Sequence, residues 1–272
     1  MADEQWGPAV RLLWGPPPGP PARGPRRGLT LEGIAGAGVA IADAEGLGGV
    51  SMQRVAAELA VTKMALYRYV PGKAELVALM AEAAMPDPAA GLDAALERAG
   101  SGWRERLGAW ARELLAAFRA HPWLLRATVG ARAVGPREVG WLERALAALE
   151  GCGLNGAESM DAVVLVAGHV RGIAEQERAV SAGGAAGAAV AGGAAGGVAG
   201  GVAGGAAGSG PDVELGAVLG EVMRLRGADF PALGAALASV ARDGGQDQAL
   251  DFGLERILDG IGLLVAARGA GA

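Results

Sequence analysis

Lys63, Tyr67, Tyr69 and Lys73 all lie in the stretch VTKMALYRYVPGK (Val61–Lys73), and they are the only lysines and tyrosines of the chain. Elsewhere positive charge is carried by arginine, and the aromatic residues are tryptophan or phenylalanine. This set suits recognition of a polyanion rather than catalysis. A lysine ammonium donates to a phosphate, or to guanine O6 and N7 in a major groove. A tyrosine hydroxyl donates to a phosphate oxygen while its ring packs on a sugar. Met64 and Ala65 between them can touch a thymine methyl group. Lys73 stands at the start of a helical pattern, where its charge and the free backbone N–H groups favour a phosphate.

Other chemistry-bearing residues are sparse. His121 and His169 are the only histidines, and Cys152 is the only cysteine. Two histidines without a third partner nearby do not make a zinc site. A Cys–His nucleophile would need one of them brought beside Cys152. The sequence offers no triad and no phosphate loop, so neither enzyme activity nor a metal or cofactor is expected. GIAGAG (Gly33–Gly38) mimics a nucleotide-binding glycine pattern but follows no strand, and its glycines read as tolerated substitutions that weaken a helix. The lone cysteine excludes an intrachain disulfide and agrees with a reducing cytoplasm.

Charge is divided along the chain. The net charge is −5, yet from Gln5 to Leu76 eight Arg or Lys stand against five Asp or Glu. A basic N-terminal portion on an acidic body predicts that a polyanion is met at one end only. Glycine occurs 48 times, far above the usual share of ~7%, in a pattern that looks like GC-rich codon bias. The beginning, MADEQW, is acidic and carries no secretory signal. Residues 181–210 are long enough to cross a bilayer, but from Ala182 to Gly210 they are nearly all Ala and Gly. They read as a flexible surface loop, and no membrane span is expected.

The elements that must position these residues are helical. Residues 1–28 read as a disordered Pro/Arg-rich leader ending in Arg23, Arg26 and Arg27, either a solvated tail or an arm that reaches a phosphate or a minor groove. Thr30 opens a helix with Leu31, Ile34, Gly38 and Ile41 at helical spacing, closed by Gly46. Ser51 caps a second, with Met52, Val55, Ala56 and Leu59 on one face. Thr62 caps a short third that carries Leu66 inward, and a fourth follows VPG (Val70–Gly72). Trp103, Leu107, Trp110, Leu114 and Phe118 form a long stripe. Shorter helices cover Trp123–Arg132 and Arg137–Glu150, and a long one covers Ala157–Val180. The closing helices lie within Val213–Arg226, near Pro231–Ser239 and from about Gln248 to Ala267. Period-2 runs of branched residues are missing, so the fold class is all-α.

A helix, a tight turn and a second helix with one buried anchor form a helix-turn-helix, whose second helix probes the major groove. Leu66 is the anchor here. At this point the sequence resembles the tetracycline-repressor (TetR) family of transcriptional regulators. The resemblance rests on Ala40–Met80: a first helix ending in AEGL, a Ser-led second helix, ALYRYV in the recognition helix and GKAEL opening the fourth. It implies DNA contacts at Ser51, Met52, Gln53 and Arg54, and at Thr62, Lys63, Met64, Ala65, Tyr67, Tyr69 and Lys73. More loosely, AHPWLL (Ala120–Leu125) and DFGLERILDGI (Asp251–Ile261) resemble the tetracycline-repressor-like C-terminal domain.

The resemblance implies a DNA-binding domain over 29–73 and a regulatory and dimerisation domain over 74–272. It also implies a homodimer paired through about 158–179 and 248–267 in a four-helix bundle. The partners would be a pseudo-palindromic operator in duplex DNA and a small-molecule effector held in a hollow body. Candidates for that hollow are Trp103, Trp110, Phe118, His121, Trp123, Met160 and His169. Trp141 stands behind them, as do Arg126, Arg132 and Arg171 for a polar effector. Each of these also reads as ordinary core, interface or surface. The expectation is a cytoplasmic, nucleoid-associated repressor released by its effector; the alternatives are a DNA-binding protein of the same fold without an effector, or an activator. Two departures stand out. Ala60 occupies a turn position where Gly is common, which costs on the order of 1 kcal/mol if the residue is left-handed. The family's tetracycline and magnesium residues find no match, so tetracycline does not follow as the effector.

Overall fold

The computed structural model describes residues 2–15, 29–192, 220–243 and 249–269, and among them there is no strand. In chain order the helices are α1 (Ala2–Trp14), α2 (Leu31–Glu45), α3 (Met52–Glu58), α4 (Lys63–Tyr67), α5 (Lys73–Ala84), α6 (Asp93–Ala99), α7 (Trp103–Ala120), α8 (Leu124–Ala127), α9 (Pro136–Ala148), α10 (Gly156–Gly192), α11 (220–226), α12 (Pro231–Asp243) and α13 (Ala249–Gly269). A π turn, Pro88–Leu92, leads into α6, and a 3-10 turn, Gly227–Asp229, separates α11 from α12.

The chain forms two compact units. The first is Met1–Arg171 with Leu254–Ala272, so it does not break at Lys73 but includes both the helix-turn-helix and most of the body. Side-chain caps set its early helices. The hydroxyls of Thr30, Ser51 and Thr62 accept from the N–H groups of Gly33, Arg54 and Ala65 at 3.0, 3.1 and 3.1 Å, satisfying donors that each helix start leaves without a partner. Gly46, at φ 72°, ends α2. Ile34, Val50, Val55, Leu66, Val70, Leu76 and Met80 are fully buried, each contributing about 1.5–3 kcal/mol by leaving water. In the body α7 packs against α6 and α9. The second unit, Gly172–Gly253, holds the distal part of α10, α11, α12 and the start of α13. Within it Arg226 pairs with Asp229 at 2.6 Å.

Four expectations need correction. Ala2–Trp14, half of the expected leader, is helical in spite of Pro8. Packing explains it: α1 lies on α5, Ala9 is buried, and Trp14 Nε1 donates to Val134 O at 2.8 Å. Residues 16–28 lie outside the described residues. The expected loop over 181–210 begins as helix, because α10 runs on to Gly192; a helix already nucleated extends one bond at a time through alanines, the best helix formers. Residues 193–210 lie outside the described residues. The helix expected over Trp123–Arg132 shrinks to Leu124–Ala127, because Thr128 Oγ1 turns back on Leu124 O at 2.6 Å and Gly130 adopts φ 79°.

The fourth correction concerns GIAGAG. Gly38 is no idle substitution: a β-carbon there would stand 2.7 Å from Met80 Sδ, so the glycine lets α5 close on α2. Gly36, two residues earlier, is exposed with nothing near its missing β-carbon. Gly38→Ala is therefore expected to destabilise the fold by about 1–3 kcal/mol through overpacking, while Gly36→Ala stabilises it by up to about 1 kcal/mol. Urea unfolding of the two variants checks the pair, and equal effects would refute the close approach.

Candidate nucleic-acid interface and ligand cavity

A five-residue helix such as α4 is placed by its neighbours, not by its own propensity. Leu66 and Val70 are its buried anchors, as are Val55 of α3 and Leu76 of α5 in their helices. The turn before α4 is a Schellman closure of α3. Ala60 N–H donates to Ala57 O at 3.0 Å and Val61 N–H to Ala56 O at 2.9 Å. Ala60 carries φ 54°, so the turn takes the left-handed conformation and an alanine bears the strain.

This anchoring leaves one face outward. Met64 is 73% exposed, Tyr67 38% and Tyr69 42%. Thr62 and Lys63 are exposed beside them, and Ala65 is half-buried. Lys63 Nζ lies 5.6 Å from the centre of the Tyr67 ring, joining the two into one patch. Lys73 is exposed at the first position of α5, behind a Gly72 that offers no side-chain cap. Ser51 and Gln53 are exposed at the start of α3; the Ser51 hydroxyl caps and can still donate. Arg54 is half-exposed, with Nη2 2.9 Å from Glu45 Oε1. Met52 departs from expectation: at 6% exposed its side chain belongs to the core and does not reach a groove. Arg68 was missed. It is exposed at the end of α4, between the two tyrosines.

A cavity of about 300 Å³ opens in the body. Its aromatic wall is Trp110 and Phe118 of α7 with Trp141 of α9, and Leu114, Val139, Leu142, Val163 and Ala167 add aliphatic surface. The indole donors are spent inside the protein: Trp110 Nε1 donates to Trp141 O and Trp141 Nε1 to Pro86 O, both at 2.9 Å. Arg171 lies on the lining with its guanidinium 5.0 Å from the Phe118 ring centre. It donates to Leu125 O at 2.7 Å and to Thr128 Oγ1 at 2.9 Å. Glu138, also on the lining, pairs with Arg132.

Of the seven cavity candidates, Trp110 and Phe118 line it and five do not. Trp103 sits against Gly262 of α13. His121 Nδ1 and Trp123 Nε1 meet the same Asp43 oxygen at 2.8 and 2.7 Å, tying the body to α2. Met160 is exposed on α10, and His169 is half-buried on another face of that helix. The readable signal for α10 was the spacing of Val163, Ala167 and Arg171, which puts them on one face at i, i+4 and i+8; His169 falls two residues from that register.

Next to the cavity, α5 and α9 meet end to end. Glu82 Oε1 accepts from Arg137 N–H at 2.9 Å, and Arg137 Nη1 donates to Glu82 O, Ala83 O and Met85 O at 3.3, 2.9 and 3.0 Å. Glu82 Oε2 is buried without a hydrogen-bond partner. Burial pushes the Glu82 carboxyl above its ordinary value of 4.5, against the opposing pull of Arg137. The folded state therefore holds this proton more tightly than the unfolded one, and the associated stability is lost as pH rises above 4.5 through the raised value. Glu82→Gln, which cannot ionise, is expected to gain stability relative to the parent as pH climbs through that range. Thermal melts at stepped pH test this; a constant difference would refute it.

Among the described residues no group of three or more His, Cys, Asp or Glu could hold a metal, and no helix is long and apolar enough to cross a membrane. Residues 34–80 match the model of bacterial regulatory proteins of the tetR family, and residues 97–193 match that of the tetracyclin repressor-like C-terminal domain. The chain belongs to the TetR family. An HTH-type transcriptional repressor of Streptomyces coeruleorubidus, DrrR1, is 42% identical over 160 residues, 58% of this chain and 57% of that one. The match thus spans a little over half of either protein. Among solved TetR-like structures, apo ActR from Streptomyces coelicolor superposes with a TM-score of 0.62 at 25% identity, covering 92% of this chain and 100% of that one. ActR in complex with actinorhodin gives 0.61 at 24% identity, over 91% and 98%.

Proposed function

We propose that this chain is a homodimeric transcriptional repressor that binds a pseudo-palindromic operator and leaves it when a small molecule fills the cavity. The outward face of α4 carries the reading. Lys63, Tyr67, Tyr69 and Lys73, joined by Arg68, present three cations and two hydroxyls to a duplex, over a helix pinned by Leu66 and Val70. The likeness to the repressor DrrR1 supports the same role. Two copies place their α4 helices in successive major grooves, roughly 34–36 Å apart. The protein acts on chromosomal DNA in the cytoplasm.

Dimerisation uses α10 and α13. Val164 and Leu165 of α10 and Leu263 and Leu264 of α13 are exposed, Leu263 to 76%. An apolar groove between these helices is lined by Ala162, Leu165, Ile257, Ile261 and Leu264. Exposed apolar surface of this kind marks an interface. The effector is a largely apolar molecule with aromatic faces, matched to a cavity walled by Trp110, Phe118 and Trp141; ActR, with the same fold, is solved with actinorhodin bound. An effector that binds best where the two α4 helices are wrongly spaced shifts the population off DNA.

Selection from a library of random duplexes tests the reading. The parent is expected to enrich an inverted repeat whose half-sites lie about 10 base pairs apart, and failure to enrich any would reject the function. On the selected duplex, Lys63→Ala and Tyr67→Ala each weaken binding by about tenfold or more without lowering the melting temperature. Lys73→Ala weakens every sequence alike and reduces the slope of log affinity against log salt by about one unit. Leu263→Glu is expected to shift sedimentation toward a monomer.

A further inference from the structure

Among the described residues the helix-turn-helix and α5 meet the body through α1, through α8 and through two polar ties of different kind. One is the Asp43 carboxylate of α2, held by His121 and Trp123; none of these three lines the cavity. The other is the end-to-end meeting of α5 and α9, which is part of the cavity wall: Met85 closes α5 on one side, and Glu138, Val139, Trp141 and Leu142 of α9 follow on the other. We propose that Glu82 and Arg137 are positioning residues that pass occupancy of the cavity to α5, and through it to the DNA-reading face. This rests on the cavity being the effector site.

The chemistry of the junction is reciprocal. α9 starts at Gly135-Pro136, and Gly135 supplies no side-chain cap. The Glu82 carboxylate reaches across from α5 and accepts from Arg137 N–H, doing the work of a cap from another helix. A β-carbon on Gly135 would collide with that carboxylate. In return the Arg137 guanidinium takes three carbonyls at the α5 terminus, Glu82 O, Ala83 O and Met85 O, where cationic charge is also favoured by the helix dipole. Trp141 Nε1 on Pro86 O adds a third tie. A molecule pressing on Val139, Trp141 and Leu142 displaces the helix whose first turn holds Arg137. These bonds stretch little before they break, so the end of α5 follows. α5 lies against α2 through the Gly38–Met80 contact, and α2 stays held at Asp43. The helix-turn-helix therefore tilts about the Asp43 tie.

Amide hydrogen exchange on the full chain tests this, with the aromatic anion 8-anilinonaphthalene-1-sulfonate at saturation as the cavity probe. The dye is expected to slow exchange in α9 of the parent and of every variant. In the parent and in Glu82→Gln, which keeps the accepting oxygen, it also changes exchange over Lys73–Ala84 by threefold or more. In Arg137→Ala and Glu82→Ala that α5 response is lost while the α9 response stays. Arg137→Lys keeps the charge but cannot span the carbonyls, and it is expected to lose the response too, which covers an alanine variant that fails to fold. An α5 response that persists in these variants, or is absent from the parent although α9 responds, overturns the inference. A parent in which the dye protects neither α9 nor α7 overturns instead the effector-site reading on which it stands.

Discussion

There is no room for a β-carbon at Gly38. That close approach brings Met80 onto α2 and makes α5 part of the helix-turn-helix rather than a separate arm. Much else depends on it. Lys73 is exposed at one end of α5, and Glu82 near the other end reaches α9 because a 12-residue helix is about 18 Å long. One helix thus carries an exposed cation at its start and, near its other end, a carboxylate tied to α9.

The same economy governs α4. Five residues cannot sustain a helix alone, so the Thr62 cap, the Schellman turn and the two anchors Leu66 and Val70 must hold it together. Ala60 at φ 54° weakens that arrangement. The strain is tolerated because Val61 N–H and Ala60 N–H are both satisfied by carbonyls of α3, so a less favourable backbone angle comes without an unpaired polar group. A recognition helix held by a few buried contacts presents nearly all its other side chains to a partner, which is what reading a groove requires.

The local chemistry of this half was legible in the chain. Caps at Thr30, Ser51 and Thr62, the anchor Leu66 and the outward tyrosines follow from residue type and spacing alone, because their causes act within a turn or two. Met52 is buried because the first residue after the Ser51 cap turns toward the core, which a family position alone does not reveal. Distant causes were not legible. His121 and Trp123 looked like cavity residues and instead hold Asp43, 78 and 80 positions earlier in the chain. The helix at Ala2–Trp14 packs on the surface that α5 offers it, a distant cause hidden beside the Pro-rich run that follows. In the cavity, Trp110 and Phe118 were readable from their stripe, while the contribution of α9 depended on how that helix crosses α7.

Those tryptophans explain a feature of composition that codon bias does not. Trp14, Trp110, Trp123 and Trp141 each donate an indole N–H across elements, to Val134 O, Trp141 O, Asp43 and Pro86 O. A core of alanine and glycine packs closely but fixes register weakly, since small smooth surfaces slide at little cost. An indole supplies both large apolar area and one directional donor, and a donor buried without its acceptor costs about 1–3 kcal/mol. The bonds of Trp110, Trp123 and Trp141, which are buried or half-buried, therefore penalise slippage between the segments they join. Among the described residues these ties gather where the body meets α1, α2 and the end of α5, and one of them, Trp141 on Pro86 O, comes from a residue that also lines the cavity.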